Sequence, residues 1–177
     1  MRFLTIVAAL GVTTASLVSG VATLTFTAPP TWVSKTPSSS MRLAEFTLPK
    51  VMGDSEDATV TVFFFGATQG GNAQANIDRW ISQMAQPDGR PSTERAQTGK
   101  GVTTSGLKMT TVDVSGTYVA EIAPGSAEHF NKTGFRQIAV YIDTPGGPYF
   151  VKALGPVKTL AKWDATIAAF LKSVKFE

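Results

Sequence analysis

The chain predicts an α+β fold, an antiparallel β-sheet of about seven strands packed by two main helices. Three observations carry this expectation. Segments of alternating or β-branched character outnumber helical ones by about seven to two. Apolar residues recur at helical spacing in two stretches, one after Asn72 and one after Lys158. The order is strands, helix, meander, helix, and not the strict strand–helix alternation of a doubly wound parallel sheet.

Leu24 and Phe26 alternate with threonines before Pro29-Pro30, which reads as a short first strand entering a bend, with Trp32 beyond it as a core aromatic. The block 37–40, PSSS, is a loop, and 41–48, MRLAEFTL, is an extended run closed by Pro49. Residues 51–57 make an acidic turn. Residues 58–65, ATVTVFFF, alternate at first and then turn apolar on both faces, as a central strand covered from both sides does. Asn72 caps a helix whose Ile77, Trp80, Ile81 and Met84 share one stripe, and Pro87-Asp88-Gly89 ends it.

Polar sequence from Arg90 to Ser105 reads as a strand edge and a mobile connection. The runs LKMTTVDVSG and TYVAEIA follow, joined as a hairpin at Ser115-Gly116, and 123–133 is an exposed loop. Residues 135–143 and 149–154 flank Thr144-Pro145-Gly146-Gly147-Pro148, a second hairpin. A helix from Lys158 to Val174 closes the chain, with Leu160, Trp163, Ile167, Phe170, Leu171 and Val174 on one side.

Residues 1–22 place Arg2 ahead of a mainly apolar run ending among small residues, the pattern of a secretory signal peptide. Cleavage after Ala22 puts Gly20 and Ala22 at the small-residue positions. Cleavage after Gly20 would put Val18 at one of them. An uncleaved anchor is the alternative, although Thr13, Thr14, Ser16 and Ser19 dilute the apolar run. The expected product is exported, periplasmic or secreted, with residues 23–177 as one domain. It meets a membrane only through an uncleaved signal.

The chain has no cysteine, which excludes disulfides, thiolate metal sites, thiol nucleophiles and a lipidated cysteine after the signal. A domain of about 150 residues can be held by its core alone, burying roughly 70% of the surface its unfolded chain exposes. Without Arg2 the 16 basic residues fall to 15 against 13 acidic ones, a net charge of +2. That balance points to no nucleic-acid partner. Lys152, Lys158, Lys162, Lys172 and Lys175 form a basic C-terminal segment that reads as a solvated helix face.

The stretch VFFFGATQGGNAQANIDRW at 62–80 runs from strand through paired glycines into helix, as phosphate loops do. A nucleotide-hydrolysing loop needs GxxxxGK followed by Ser or Thr, and a dinucleotide site needs GxGxxG. This stretch has neither, so no nucleotide cofactor is expected. A weak anion site at Gly70, Gly71 and Asn72 stays open beside the plainer reading, in which the glycines let the chain reverse close to a strand. Arg42 and Arg79 are candidates to converge on one buried carboxylate and lock the 37–42 loop.

No catalytic set is legible. His129 is the one histidine and sits in a loop, and no GxSxG elbow presents Ser38, Ser39, Ser40 or Ser126 to it. One histidine without cysteine is a poor zinc set. Asp54, Glu56 and Asp57 lack the spacing of a calcium loop and read as a solvated turn. No metal or other cofactor is expected. The favoured function is a non-catalytic envelope protein that presents 90–105 and 123–133 to a protein partner or small ligand. The alternative is an enzyme or ligand-binding protein using a pocket between sheet and helix near Tyr118 and His129.

The signal peptide together with FTAPPTW at 26–32, PSSSMR at 37–42, GGNAQANIDRW at 70–80 and GPYFVKALGP at 147–156 resembles exported bacterial proteins of the PsbP-like fold. That fold is shared by an extrinsic photosystem II subunit, a yeast Ran-binding import factor and several bacterial envelope proteins. The resemblance implies an antiparallel sheet sandwiched by helices and an accessory role in binding or stabilising other proteins. It assigns no functional residue. No stretch reads as thylakoid-targeting, so a photosystem role is not expected.

Overall fold

The computed structural model describes residues 23–177, and the expected signal segment 1–22 lies outside them. In chain order the elements are β1 (Leu24–Thr25), β2 (Val33–Lys35), β3 (Arg42–Leu48), β4 (Ala58–Phe64), α1 (Ala73–Ser82) and β5 (Met84–Ala85). Then come β6 (Gln97–Val102), β7 (Lys108–Tyr118), β8 (Lys132–Ile142), β9 (Tyr149–Pro156), α2 (Val157–Ser173) and β10 (Lys175–Phe176). One eight-stranded sheet runs β2-β3-β4-β9-β8-β7-β5, with β6 paired to β7 beside β5. All its pairings are antiparallel. The α+β class and the two helices are as the sequence predicts.

Alternation along β9 shows how the layers form. Tyr149, Val151 and Ala153 join a core with Leu48, Val60, Val62, Leu160 and Phe170, on the α2 face. Phe150, between them, joins Ile77, Trp80, Val112, Val114 and Ala139 on the α1 face. Each fully buried side chain of this size contributes about 1.5–3 kcal/mol, and Val60, Val62, Val140 and Leu160 expose 1% or less. Trp32 is the core aromatic expected of it, packed on Phe46 and Phe170 with its indole N–H donated to Thr166 Oγ1 at 3.2 Å.

The acidic turn is structural. Asp54 Oδ2 accepts from the Thr159 backbone N–H at 2.9 Å and from its hydroxyl at 2.6 Å, capping α2, whose own N-cap residue is Pro156. Asp57 accepts from the Lys50 N–H, and Glu56 pairs with Lys132.

Several elements differ from expectation. Ser115-Gly116 is no hairpin turn, because β7 runs straight through it for 11 residues. A Cβ at Gly116 would stand 2.5 Å from Ala85 O, so the glycine lets β5 approach β7. Helix α1 stops at Ser82, and Met84, expected on its stripe, is a buried residue of β5. The polar 90–105 segment holds the expected strand edge as the regular strand β6, and what differs is the connection after it. Its turn into β7 is pinned to the end of α2, where Thr104 N–H donates to Lys172 O at 2.9 Å and Ser105 Oγ to Val174 O at 3.0 Å. Lys152 lies on β9, facing α1, and not on the solvated helix face that carries Lys158, Lys162 and Lys172.

Candidate functional site

The glycine loop before α1 is consumed in making the turn. Gly70 and Gly71 take φ of +98° and +73°, and a Cβ on Gly70 would lie 2.7 Å from the Phe150 ring. Asn72 Oδ1 accepts from the Ala75 N–H at 2.9 Å as the N-cap. Asn76 Nδ2 donates to Gly70 O at 2.6 Å and Asn72 O at 3.0 Å, and Arg79 donates to Asn76 Oδ1 at 2.9 Å. The close approach of loop and strand is thus the reading of the glycines that the packing explains. A shallow 330 Å³ cavity beside Phe65, Asn76 and Arg79 is what the loop leaves open.

Arg42 and Arg79 do not converge. Arg42 pairs with Glu45 at 2.6 Å and lies over the Phe63 ring, while Arg79 reaches Asn76, so the two guanidinium groups meet different partners. At the 37–42 loop the contacts gather on Glu45 and not on a carboxylate shared by two arginines. Glu45, 14% exposed at its side chain, also accepts from the N–H of Ser38 at 3.3 Å and its hydroxyl at 2.8 Å. Burial pushes the Glu45 carboxyl up, but the hydrogen bonds from Ser38 and Arg42 together outweigh it and hold the group below its ordinary value.

Tyr118 and His129 do not share a pocket. His129 is exposed, its Nδ1 2.8 Å from Val119 O, whereas Tyr118 is buried and stacked on Phe130. Tyr118 instead meets a residue that sequence reading missed. Lys152 Nζ donates to Gln83 Oε1 at 2.7 Å and to Tyr118 Oη at 3.2 Å, and lies 4.9 Å from the Tyr118 ring centre. Burial, and secondarily the charge of Arg79, pushes this amine down to about 7. Burial also raises the Tyr118 hydroxyl. The available signal was alternation, since Lys152 stands between the inward-facing Phe150 and Leu154 in YFVKAL. Neither Lys152 nor His129 lines the cavities of 330 to 640 Å³ on the described residues.

The space between sheet and helix lies at the other end of α1, against the β6–β7 hairpin. Residues opposite each other in an antiparallel pair share a face. Lys100 opposite Thr110, and Val102 opposite Lys108, therefore lie on the α1 side with Tyr141. They bound a trough made of two cavities, of 640 and 340 Å³, which share Lys100 and Thr110 and have Ala73, Gln74 and Ile77 as the helix wall. On the α2 side of the same hairpin is a 610 Å³ cleft with Asp88, Arg95, Gln97, Asp113 and Arg136. Its charges are matched. Arg136 makes a two-pronged bond to Asp113, at 2.8 and 2.6 Å, and reaches Asp164 at 2.7 Å, while Arg95 pairs with Asp88.

Between these hollows β6 is an open edge. All six of its residues are exposed, β7 is the strand that pairs with it, and its outer side has no hydrogen-bond partner among the described residues.

No family model matches the sequence, and no curated protein does. Among solved structures the chain is similar to the solution structure of cyanobacterial PsbP (CyanoP) from Synechocystis sp. PCC 6803. The TM-score is 0.46 at 11% sequence identity, over 92% of this chain and 98% of that one. At that identity no residue's role passes between the two. Among the described residues, no helix is long and apolar enough to cross a membrane.

Proposed function

We propose that the chain is an exported, non-catalytic binding module that holds an extended segment of a partner protein along the outer edge of β6. The observation that carries this reading is the exposed, one-sided pairing of Gln97–Val102. An extended peptide adding there gains main-chain hydrogen bonds, and its alternate side chains reach the hollows on the two sides of the sheet. The edge is presented by a hairpin anchored to α2, so little ordering is required on binding. Export rests on the signal pattern of residues 1–22.

Proline scanning tests it. Successive N–H groups of a strand point to opposite edges, so of Thr98→Pro and Gly99→Pro one removes an outward donor and leaves the β7 ladder intact. That variant keeps its thermal stability. Affinity capture from the envelope fraction with this variant and with the unaltered protein is expected to differ by loss of a partner. Recovery of the same partners by both would refute the edge as the contact.

A second reading has its own observation. The 640 Å³ cavity beside Val102, Met109 and Tyr141 has room for a small ligand. Native mass spectrometry of protein purified from the envelope selects this reading if a small molecule co-purifies and variants of the trough, such as Tyr141→Ala, lose it.

A further inference from the structure

The segment held at β6 has a chemistry that the edge itself specifies. We infer, resting on the edge reading above, that it is acidic, with a carboxylate set opposite Lys100 and an apolar residue two positions away opposite Val102. Charge on the α2 side of the hairpin is internally matched, with Arg95 on Asp88 and Arg136 on Asp113 and Asp164. Charge on the α1 side is not. Neither Lys100 nor Lys108 enters an ion pair among the described residues. Asp143, the one carboxylate in the trough lining, stands beside Lys108, its N–H donated to Lys108 O at 2.9 Å. This leaves Lys100, nearest the open edge, without a counter-charge.

Strand geometry then places the incoming groups. A strand added to β6 runs about 4.8 Å away, and side chains directly opposite have Cβ atoms about 5 Å apart. Every second residue of the segment points to the α1 side, opposite Thr98, Lys100 and Val102 in turn. Val102 is 61% exposed, a single apolar side chain at the trough rim that an apolar neighbour would cover. The matching pattern is polar, acidic and apolar at alternate positions. A second copy of this chain would bring another Lys100 to the same edge, whereas an acidic segment compensates the charge already present.

The test uses three acetylated octapeptides of alternating valine and threonine, with glutamate, glutamine or lysine in place of one central valine, so that an apolar residue stands two positions away on the same face. They are titrated into the isotope-labelled exported protein and followed by amide chemical shifts. The glutamate peptide is expected to shift the amides of Gln97–Val102 and to bind at least about fivefold more tightly than the lysine peptide at low salt. Lys100→Glu/Lys108→Glu, substitutions at surface positions, is expected to reverse that order. If glutamate and lysine peptides bind β6 equally, the acidic assignment fails and the edge reading stands. If none of the three shifts β6, both fail. Concentration-dependent β6 shifts without peptide would make a second copy the occupant and overturn the inference.

Discussion

Lys152 is stacked over the Tyr118 ring and bonded to its hydroxyl, a lysine held beneath α1 by an aromatic and an amide and by no carboxylate. The folded chain pushes this amine down to about 7 from the usual 10.5. Between those pH values the unfolded chain binds a proton that the folded chain does not, so stability rises with pH across this window and is lowest below 7. Lys152→Met is therefore expected to be more stable than the parent at pH 6, by roughly 2–4 kcal/mol. The gain should shrink toward pH 10, where the variant retains the cost of leaving Gln83 Oε1 without a donor. Chemical denaturation at pH 6, 8 and 10 checks it. A difference that stays constant with pH would show that the amine keeps its ordinary affinity for protons.

Asp54 reaches from the β3–β4 turn to the first turn of α2. Asp54→Ala removes the acceptor of two bonds and is expected to cost about 1–2 kcal/mol. Asp54→Asn, which keeps an acceptor oxygen, should recover part of that. Thermal denaturation of both variants is the measurement. Equal losses would place the effect in the charge and not in the cap.

Gly70→Ala meets two obstacles, a left-handed φ and the Phe150 ring. The expected loss is about 1–3 kcal/mol. Combining it with Phe150→Leu should give a smaller total than the sum of the two single losses, because the shorter side chain vacates the space. Simple additivity in that double-mutant cycle would contradict the contact.

Glu45 gives an acid-side signature. Its carboxyl is held below the usual 4.5, so its contribution is fully present above that pH and is lost as pH falls through the lower folded value. Protease cleavage within 38–42 should stay slow at pH 5 and accelerate only as pH falls below the usual 4.5, and Glu45→Gln should abolish the pH dependence.

Most of the fold was legible because its strands carry their own periodicity. ATVTVFFF marks β4, and the TPGGP block between two apolar runs marks the β8–β9 hairpin. Failures occurred where tertiary contact overrode local pattern. Ser115-Gly116 looks like a turn, but the glycine serves β5, a two-residue strand with no sequence signature. β6, QTGKGV, carries two glycines and one apolar residue, so the sequence announces a polar strand edge within 90–105 but not its bounds or its partner. It exists because β7 offers a ladder and α2 anchors its turn. Asn72 caps α1 and Gly70 and Gly71 make the turn before it, a local arrangement that the sequence pattern predicts. Arg42 meets Glu45 and Arg79 meets Asn76, and Tyr118 is buried against Phe130 while His129 stays exposed, pairings made by tertiary packing that linear order does not hold.

The pairing of β1 with β10 closes the chain on itself. Thr23 and Glu177 exchange backbone bonds at 2.6 and 3.0 Å, so the two ends of the described residues lie side by side on one edge of the molecule. A bridge of a few glycines between them would complete a loop without disturbing either helix, and the chain could be reopened at 123–126, in the exposed connection between β7 and β8. Such a circular permutant would keep both hollows of the β6 hairpin while its new ends lie in the β7–β8 connection, away from the 97–102 edge in sequence.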